Sequence, residues 1–434
     1  MDTATVRWPD SLWAAVTPPG PELPVLAGSA QADVIVIGGG FTGLSTALHL
    51  REAGVDVAVV EAMEPGWGAS GRNNGQVIPT LSRPDPEDII SRHGAAGERF
   101  VALLRDSAST LFDLTRRYQI QAEQEQTGWV QPVHSPGRIR IAERRVRQWS
   151  KFGAPVDLLS RDETRQMLGS DAWFGGFWNR SGGHINPLAL SRGLARVVEE
   201  CGGRIYARSP AIGFKRQNDR WVVRTARGQI SGRALVVATN AYTGEFSKSL
   251  APGIAREVMP VLSWQMATQP LSENARKTII PGRQAMSDTH GELYFARYDA
   301  RGRLVTGGAV IGPANKAGKI KSMVAARLKR LWPQIGQVGF DHVWNGYVGM
   351  TTDFFPRIHR LGPDAYGWTG CNGRAVALSI ALGDEFSKAV RGHPESDLAL
   401  PFTDPVPIPA HGRLRRLAPL MLMVYRRRDA KEIA

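Results

Sequence analysis

The chain has 434 residues, of which 42% are hydrophobic and 22% are charged, so it is too apolar to be disordered and long enough for two packed domains. Its two cysteines, Cys201 and Cys371, form neither a CxxC pair nor a metal-ligand pattern, so we expect no disulfide framework and no metal. This cysteine usage fits a reducing cytoplasm, where we place the protein. The formal net charge of +14 favours anionic partners without distinguishing a substrate, a membrane surface and an RNA.

Neither end of the chain predicts a membrane segment. Residues Met1–Asp10 lack the basic, apolar leader of a signal peptide. The longest apolar run near the C-terminus, Leu420–Tyr425, is far shorter than the roughly 20 residues that a span needs. Positive charge concentrates in Arg138–Lys151, Lys316–Arg330 and Arg413–Ala434, which we interpret as solvated helix faces. Weak contact of the basic C-terminus with a membrane surface is the functional alternative.

Strands and helices alternate along the chain after an N-terminal arm that we expect to be extended over the surface. Apolar or alternating runs predict strands at 33–37, 55–60, 129–133, 138–142, 204–208, 212–216, 221–225, 228–231 and 234–238. Residues 258–310 are also rich in strand patterns. Helical periodicity and end signals predict helices at 44–53, 85–120, 187–201, 322–331 and 375–390.

Strands suited to one dinucleotide-binding sheet come from both ends and the middle of the chain. We therefore predict a mixed α/β fold in which a Rossmann-like FAD-binding domain, assigned to this cofactor from the glycine motif at 38–43 and the polar segment at 69–76, is interleaved with a substrate domain built on a mixed β-sheet with helices. The boundaries that we predict are 1–30 for the N-terminal arm; 31–84, 157–245 and 345–395 for the FAD-binding domain; 85–156 and 246–344 for the substrate domain; and 396–434 for a basic C-terminal tail or helix.

The most informative motif is a Gly-x-Gly-x-x-Gly turn between the first strand and the first helix, formed by Gly38, Gly40, Phe41, Thr42 and Gly43. Its first glycine permits the tight turn, the second lets the backbone approach a pyrophosphate, and the third lets the helix pack on the strand. The free N–H groups of the helix start attract phosphates. Glu61 ends the second strand, 18 residues after Gly43, and can accept hydrogen bonds from ribose hydroxyls.

The segment after Glu61 favours FAD over NAD. Its small and polar residues let a backbone pass close to a flat ligand and offer hydrogen bonds to phosphate, ribityl and ring-edge atoms. We name this segment the cradle, and the residues there that we expect to contact FAD are Ala69, Ser70, Gly71, Arg72, Asn73, Asn74, Gly75 and Gln76. An ordinary loop is the alternative, but it does not explain the neighbouring dinucleotide motif.

These two motifs together resemble the D-amino acid oxidase superfamily, and within it the γ-glutamylputrescine oxidoreductase-like amine oxidoreductases. The resemblance covers nearly the whole chain and includes the segment Gly370–Arg374. It implies that Asn372, Gly373 and Arg374 close over the pyrimidine side of the flavin, and that the following helix points its N-terminus at the flavin C2 carbonyl. Ile212 completes the expected cofactor contacts. One departure is Asn74, where we would expect glycine.

The resemblance implies an enzyme of polyamine catabolism that oxidises the C–N bond of a small amine. The flavin accepts a hydride at N5 from the carbon next to nitrogen, and the imine hydrolyses to an aldehyde and an amine. O2 or a quinone-type compound takes the electrons from the flavin. The residues that we expect to face flavin and substrate are Trp264, Tyr294, Arg297 and Trp344, with core packing or a structural ion pair as the alternative for each.

Relatives with covalent flavin carry a histidine in the cradle or a cysteine near a Thr-x-Asp motif. Here the cradle has Asn73 and Asn74, and residues 346–353 contain no cysteine, so we predict non-covalent FAD. Oxidase relatives carry a lysine near the ring that promotes reduction of O2. We place Val305 at that lysine's position, which predicts slow reoxidation by O2.

Amino-acid-specific relatives hold the substrate α-carboxylate with an arginine, whose position we assign here to Val348. An apolar residue cannot hold a carboxylate, so we predict a substrate whose reacting carbon carries none. Arg297 would instead bind a distal anion, as in a γ-glutamylated polyamine. Three alternatives stay open: an oxidase of glycine, sarcosine or D-amino acids, a tRNA-modifying flavoprotein, and a non-catalytic flavin-binding protein. We expect no nucleic-acid partner, because no basic patch is interleaved with aromatic residues.

Overall fold

Two large β-sheets and two small ones organise the computed structural model, which describes residues 6–309, 317–414, 424, 427–429 and 431. The strands are β1 (Gly28–Gln31), β2 (Val34–Ile37), β3 (Val57–Val60), β4 (Gln76–Val77), β5 (Trp129–Pro132), β6 (Val156–Leu159), β7 (Gly176–Asn179), β8 (Gly183–His184), β9 (Arg204–Tyr206), β10 (Gly213–Gln217), β11 (Arg220–Arg224), β12 (Gly228–Gly232), β13 (Ala234–Val237), β14 (Met259–Pro270), β15 (Ala285–Ser287), β16 (Phe295–Tyr298), β17 (Arg303–Ala309), β18 (Phe340–Met350), β19 (Arg357–Gly362) and β20 (Ala365–Thr369).

The helices are α1 (Leu12–Val16), α2 (Phe41–Glu52), α3 (Pro86–Arg117), α4 (Ile139–Lys151), α5 (Arg161–Leu168), α6 (Pro187–Glu200), α7 (Pro252–Ala255), α8 (Glu273–Thr278), α9 (Ala317–Leu331) and α10 (Val376–Val390). Short 3-10 turns lie at Ala69–Gly71, Pro136–Arg138, Asn240–Tyr242, Pro333–Ile335 and Glu395–Asp397. In the described part of the chain, no helix is long and apolar enough to cross a membrane.

The six-stranded sheet has the order β19-β20-β13-β2-β3-β9 and is parallel except for β19. Its strands are continuous apolar runs because both faces are covered. Alternate residues such as Val34 and Val36 pack on the side of helices α2, α6 and α10, whereas Ile35 and Ile37 pack on the opposite side, in a core shared with Trp221 of β11. The predicted mixed α/β fold is confirmed.

The eight-stranded sheet has the order β18-β14-β17-β16-β15-β5-β7-β6. Neighbouring strands are antiparallel except for β15 and β5, and the longest pairing joins β14 to β18. A smaller four-stranded sheet, β1-β12-β11-β10, takes its first strand from the N-terminal arm, and β4 pairs with β8. The two large sheets approach each other where β18 contacts the turns Ala69–Gly71 and Asn240–Tyr242 and β14 contacts the second of these turns, and this junction positions the site.

The predicted strand at 138–142 is wrong, because these residues begin α4 after a 3-10 turn. Ala142, Arg145 and Trp149 are buried at helical spacing, a period that a five-residue window does not reveal. The domain boundaries also differ from the prediction. Strands β6 and β7, placed with the FAD-binding domain, belong to the eight-stranded sheet, whereas α3, placed with the substrate domain, packs on α10.

The N-terminal arm is not simply extended over the surface. It contains α1, whose Leu12 and Trp13 are fully buried, and it contributes β1 to the four-stranded sheet. Ser11 caps α1 by accepting a hydrogen bond from the Ala14 amide at 3.1 Å. Of the predicted C-terminal tail, most residues after 414 lie outside the described residues.

Candidate active site

A cavity of about 1230 Å³ lies at the junction of the two large sheets. Pockets for single drug-sized ligands measure about 300–1,000 Å³, so this cavity has room for an extended ligand beside a second small molecule. One end is formed by the loops after β2, β3 and β13. The other end is formed by β14, β18 and the turn before α10.

The glycine motif forms the first wall of the cavity, with Gly38, Gly40, Phe41 and Thr42 among the lining residues. Gly38 has a φ of 109°, which L-residues rarely adopt. Gly43 does not line the cavity but sits against the turn, where a Cβ would lie 1.9 Å from the Gly38 carbonyl oxygen. The N-cap of α2, Gly40, has no side chain, and the Phe41 amide donates to Ser70 Oγ at 3.0 Å, so the other N–H groups of the first turn are the ones left for an anion at the cavity.

Glu61 reaches the cavity from the end of β3. Its carboxylate accepts hydrogen bonds from the Gly39 amide at 2.5 Å and from the Met63 amide at 2.9 Å. Burial raises the pKa of this carboxyl above its ordinary value, although those two amide donors oppose the rise. Glu61 therefore fixes the glycine turn and presents its carboxylate to whatever occupies the adjacent space.

Replacing Glu61 by glutamine should weaken FAD binding by about 1–3 kcal/mol, the range for a hydrogen bond to a charged group. The amide keeps one acceptor oxygen but loses the charge that favours ribose hydroxyl donors. Fluorescence titration of the apoprotein with FAD measures the difference. Glu98→Gln, on an exposed position of α3, is the matched control. Equal FAD dissociation constants for Glu61→Gln and the control would contradict the assignment.

The cradle is shaped by its own asparagines. The Asn73 side chain accepts from the Gly75 amide at 2.7 Å, and the Asn74 side chain accepts from the Gln76 amide at 2.9 Å. Both asparagine oxygens are therefore used to hold the loop, which differs from the expected contact with the ring edge. Of the predicted contacts here, Ala69, Ser70, Arg72, Asn73, Asn74 and Gln76 line the cavity, whereas Gly71 and Gly75 lie behind it.

Three side chains from distant parts of the chain hold consecutive carbonyls of the cradle. Trp344 Nε1 donates to the Arg72 carbonyl at 2.7 Å, Trp13 Nε1 to the Asn73 carbonyl at 2.8 Å, and Arg297 Nε to the Asn74 carbonyl at 2.6 Å. The three side chains also contact one another: the Arg297 guanidinium lies 4.5 Å from the Trp13 ring centroid, and Trp13 meets Trp344 edge-on. We name this group the cradle support.

Arg297 is thus placed behind the cradle and does not line the cavity. Its guanidinium also donates to the carbonyls of Tyr298 and Ile185, each at 2.8 Å. Burial lowers its pKa to about 10. With three backbone acceptors already engaged, this side chain is not positioned to bind a distal substrate anion, and the expectation that it does so is corrected.

Three other predicted side chains also lie away from the cavity wall. Trp344 belongs to the cradle support. Trp264 and Tyr294 are half-buried and pack against a hydrophobic cluster that includes Ile320, Val324 and Leu328 of α9. The Tyr294 ring lies 4.1 Å from that of His290 and 4.4 Å from the Arg327 guanidinium. The surroundings of these residues fit core packing, the alternative interpretation given for them above. Ile212 is 40% exposed and does not line the cavity, although its neighbour Ala211 does.

The turn before α10 forms the opposite wall. Asn372, Gly373 and Arg374 all line the cavity, as predicted from the motif. Asn372 adopts a φ of 47° and accepts hydrogen bonds from the Thr351 amide at 2.9 Å, which ties the turn to the end of β18. The N-cap of helix α10, Ala375, makes no side-chain hydrogen bond to the helix start. Two helix N-termini therefore face the same cavity.

These residues fit FAD. The N-termini of α2 and α10 suit its pyrophosphate and the electron-rich edge of its ring. A Cβ on Gly40 would lie 2.8 Å from Ser70 Oγ, so a side chain there would fill the passage beside the pyrophosphate position. Among the described cavity-lining groups, the buried side-chain oxygens of Gln76 and Gln265 have no protein donor, so both can accept hydrogen bonds from a ligand.

The wall contributed by the eight-stranded sheet was largely missed by the motif analysis. Val261, Ser263 and Gln265 of β14 lie beside Gly346 and Val348 of β18. The hydroxyl of Tyr242, after β13, accepts from the Tyr347 amide at 3.2 Å, and both rings line the cavity. Alternation along β14 could have indicated one of its faces, but nothing in the sequence showed which face meets FAD.

A family model described as FAD dependent oxidoreductase, or DAO, matches residues 33–389. The chain belongs to the DAO family of FAD-dependent oxidoreductases. It is 32% identical to γ-glutamylputrescine oxidoreductase of Escherichia coli (strain K12) over 389 residues, 89% of this chain and 90% of that protein. The chain described here is therefore an oxidoreductase that acts on C–N bonds of amine or amino-acid substrates.

A further curated protein and a solved structure are also similar to this chain. Glycine oxidase of Bacillus licheniformis is 24% identical over 382 residues, 83% of this chain and 94% of that protein. The structure of L-proline dehydrogenase from P. horikoshii superposes with a TM-score of 0.72 at 20% identity, covering 85% of this chain and 96% of that one. The structural match shows the fold that they share, and the substrate must be argued from the cavity.

Proposed function

We propose that this enzyme oxidises the C–N bond of a small N-substituted amine whose reacting carbon bears no carboxylate, with γ-glutamylputrescine or a similar amine as substrate. The relative at 32% identity carries that substrate in its name. The proposal places the enzyme in polyamine catabolism.

The observation that carries the proposal is the absence of a cation on one wall. Among the described cavity-lining residues, those from the eight-stranded sheet include no arginine, lysine or histidine. Val348 lines the cavity at the position that we assigned to a carboxylate-binding arginine. A substrate carboxylate against Val348 would lose hydration without gaining a hydrogen-bond partner from that side chain, which is unfavourable. A reacting carbon that bears no carboxylate avoids this desolvation cost.

When bound, FAD supplies the two-electron acceptor for the oxidation. The chain's own residues orient the amine and exclude water. The apolar wall of Val261, Val348 and Met350 lowers the local polarity, which favours the neutral form of the amine over the ammonium. The start of α10 offers uncapped N–H groups that stabilise negative charge at the adjacent edge of the cavity.

Anaerobic bleaching of the flavin against a substrate panel tests the proposal. We expect rapid bleaching by γ-glutamylputrescine and related N-substituted amines, and little by glycine, sarcosine or D-alanine. Val348→Arg is the complementary variant, because it adds a carboxylate partner to the wall and should shift preference toward amino acids. Rapid bleaching of the wild type by D-alanine or sarcosine, with none by the amines, would overturn the proposal.

FAD should be bound without a covalent link. Cys371 lines the cavity and its sulfur lies 3.8 Å from the Gly349 carbonyl oxygen, beside the segment in which covalent relatives carry a cysteine. Burial raises the pKa of this thiol, so it is a poor nucleophile. Acid precipitation should release yellow flavin from the wild type and from Cys371→Ser alike. A yellow pellet from the wild type alone would identify Cys371 as an attachment point.

Reoxidation by O2 should be slower than by a quinone or dye acceptor. Val305, which we assigned to the position of the oxygen-activating lysine, is fully buried among Trp13, Leu188 and Trp344, away from the cavity wall. Independently of that assignment, the prediction is supported because no lysine is found among the described residues that line the cavity. Stopped-flow mixing of reduced enzyme with each acceptor gives the comparison, and faster reaction with O2 would contradict it.

A further inference from the structure

The C-terminal segment 403–414 lies across one side of the cavity, and we name it the strap. It follows β20 and α10 in the chain, and the family match ends before it, at residue 389. Hydrogen bonds fix it along its length: Thr403 N to Ile358 O at 2.7 Å, Val406 N to Glu257 Oε1 at 2.7 Å, Ile408 N to Arg256 O at 2.9 Å, and His411 Nε2 with Val258 O at 2.8 Å.

The attachment of the strap is buried as well as hydrogen-bonded. Glu257, which receives the Val406 amide, is only 2% exposed and pairs with the fully buried His359. The other ring nitrogen of His359 lies 2.7 Å from the Thr403 carbonyl oxygen. Glu257 and His359 are buried in contact with each other and each also hydrogen-bonds the strap, so the strap has a defined position relative to β14.

Two strap side chains, Ile408 and Leu414, reach the cavity wall. Ile408 is 9% exposed and Leu414 is 42% exposed, so Ile408 forms part of the closed wall and Leu414 stands nearer to solvent. Met259 and Pro260 of β14, which directly follow the strap's hydrogen-bond partner Val258 in the chain, are also apolar and line the same cavity. Both strap side chains are purely aliphatic, so they favour contact with the hydrocarbon part of a ligand.

We infer that Ile408 and Leu414 are specificity-determining residues that select the length of the substrate's aliphatic chain. The inference rests on the proposed function and deepens it, naming an amine with an uninterrupted run of methylene groups as the substrate class. Each methylene that packs on such a wall contributes to transition-state binding, whereas a chain that stops short leaves the wall against water. Because the strap lies outside the family match, relatives with the same cradle can differ in the length of the substrate aliphatic chain that they accept.

The test measures kcat/KM for the γ-glutamyl derivatives of diaminopropane, putrescine, cadaverine and hexanediamine. For Ile408→Ala we expect a fall of about tenfold for the derivative that the wild type prefers, the scale for lost hydrophobic contact in a substrate pocket, and a shift of preference toward longer chains. Leu414→Ala should shift preference in the same direction by a smaller factor, because it is more exposed.

Val406→Ala is the matched control, since Val406 lies on the same strap, is 69% exposed and does not line the cavity. FAD content and melting temperature are measured for each variant, so that a folding defect is recognised; Leu414→Ala, the more exposed change, serves if Ile408→Ala loses FAD. A chain-length profile unchanged in both variants, with amines oxidised by the wild type, overturns this inference alone. If no amine bleaches the wild-type flavin, the proposed function fails and the inference fails with it.

Discussion

Replacing Arg297 by alanine should lower the free energy of unfolding by about 3–5 kcal/mol and leave most of the purified protein without FAD. The substitution removes the donor for the carbonyls of Asn74, Tyr298 and Ile185, and the bonds to Tyr298 and Ile185 are buried, where water cannot easily replace the donor. It also opens a cavity beside Trp13, whose ring packs on the guanidinium. Chemical denaturation and the flavin-to-protein absorbance ratio measure the two effects.

Two comparisons make this result specific. Arg360→Ala removes a half-exposed surface partner of Glu395 and should change stability by less than about 1 kcal/mol. Arg297→Lys should recover only part of the stability, because one ammonium cannot reach three carbonyls that the planar guanidinium spans. Normal stability and FAD content in Arg297→Ala, with a raised KM only for anionic substrates, would instead return Arg297 to a substrate-binding role.

The glycine motif, Glu61 and the turn before α10 were predictable because their chemistry is local. Gly38, Gly40 and Glu61 are constrained by one strand-turn-helix unit and the strand that follows, so a short stretch of sequence carries the whole geometry. The same holds for Asn372, whose left-handed conformation and flanking glycines mark the turn. At these positions the sequence pattern and the backbone requirement coincide.

The cradle support was not predictable in the same way, because its members are brought together by tertiary structure. Trp13, Arg297 and Trp344 come from α1, β16 and β18, and only the folded chain shows that they bind consecutive carbonyls. From sequence alone, an arginine and a tryptophan in a strand-rich segment fitted a substrate site as well as they fitted core packing. Their burial decides the question, since a charge fully engaged with backbone acceptors is not available to a ligand.

Helix α4 and the strap show a second limit. The start of α4 shows strand-like alternation of arginine and isoleucine at 138–141, and its helical period emerges only when Trp149 is included. The strap has no regular period over most of its length. Its position depends on the pairing of Glu257 with His359, residues that are far apart in sequence. Long-range pairing of this kind leaves no local pattern to detect.

Replacing Gly43 by alanine should abolish stable FAD binding and lower the free energy of unfolding by about 3 kcal/mol, at the upper end for overpacking of a well-filled site. The added Cβ would lie 1.9 Å from the Gly38 carbonyl oxygen and 3.1 Å from Val36 Cγ1. Neither atom belongs to the far end of a flexible side chain, so α2 itself must move away from β2. That movement displaces the N–H groups of the helix start from the pyrophosphate position, which explains why FAD binding and stability should fall together.

The matched control is Gly318→Ala, because Gly318 lies near the start of α9 and a Cβ there would meet nothing within 4 Å. Alanine favours helix more than glycine by about 1 kcal/mol, so this control should be neutral or slightly stabilising. Both variants add one methyl group in place of a glycine hydrogen, and they differ only in what the methyl meets. FAD titration followed by denaturant unfolding therefore isolates the contact between α2 and the glycine turn. A Gly43→Ala protein that binds FAD as tightly as Gly318→Ala would show that this contact does not position the phosphate-binding helix.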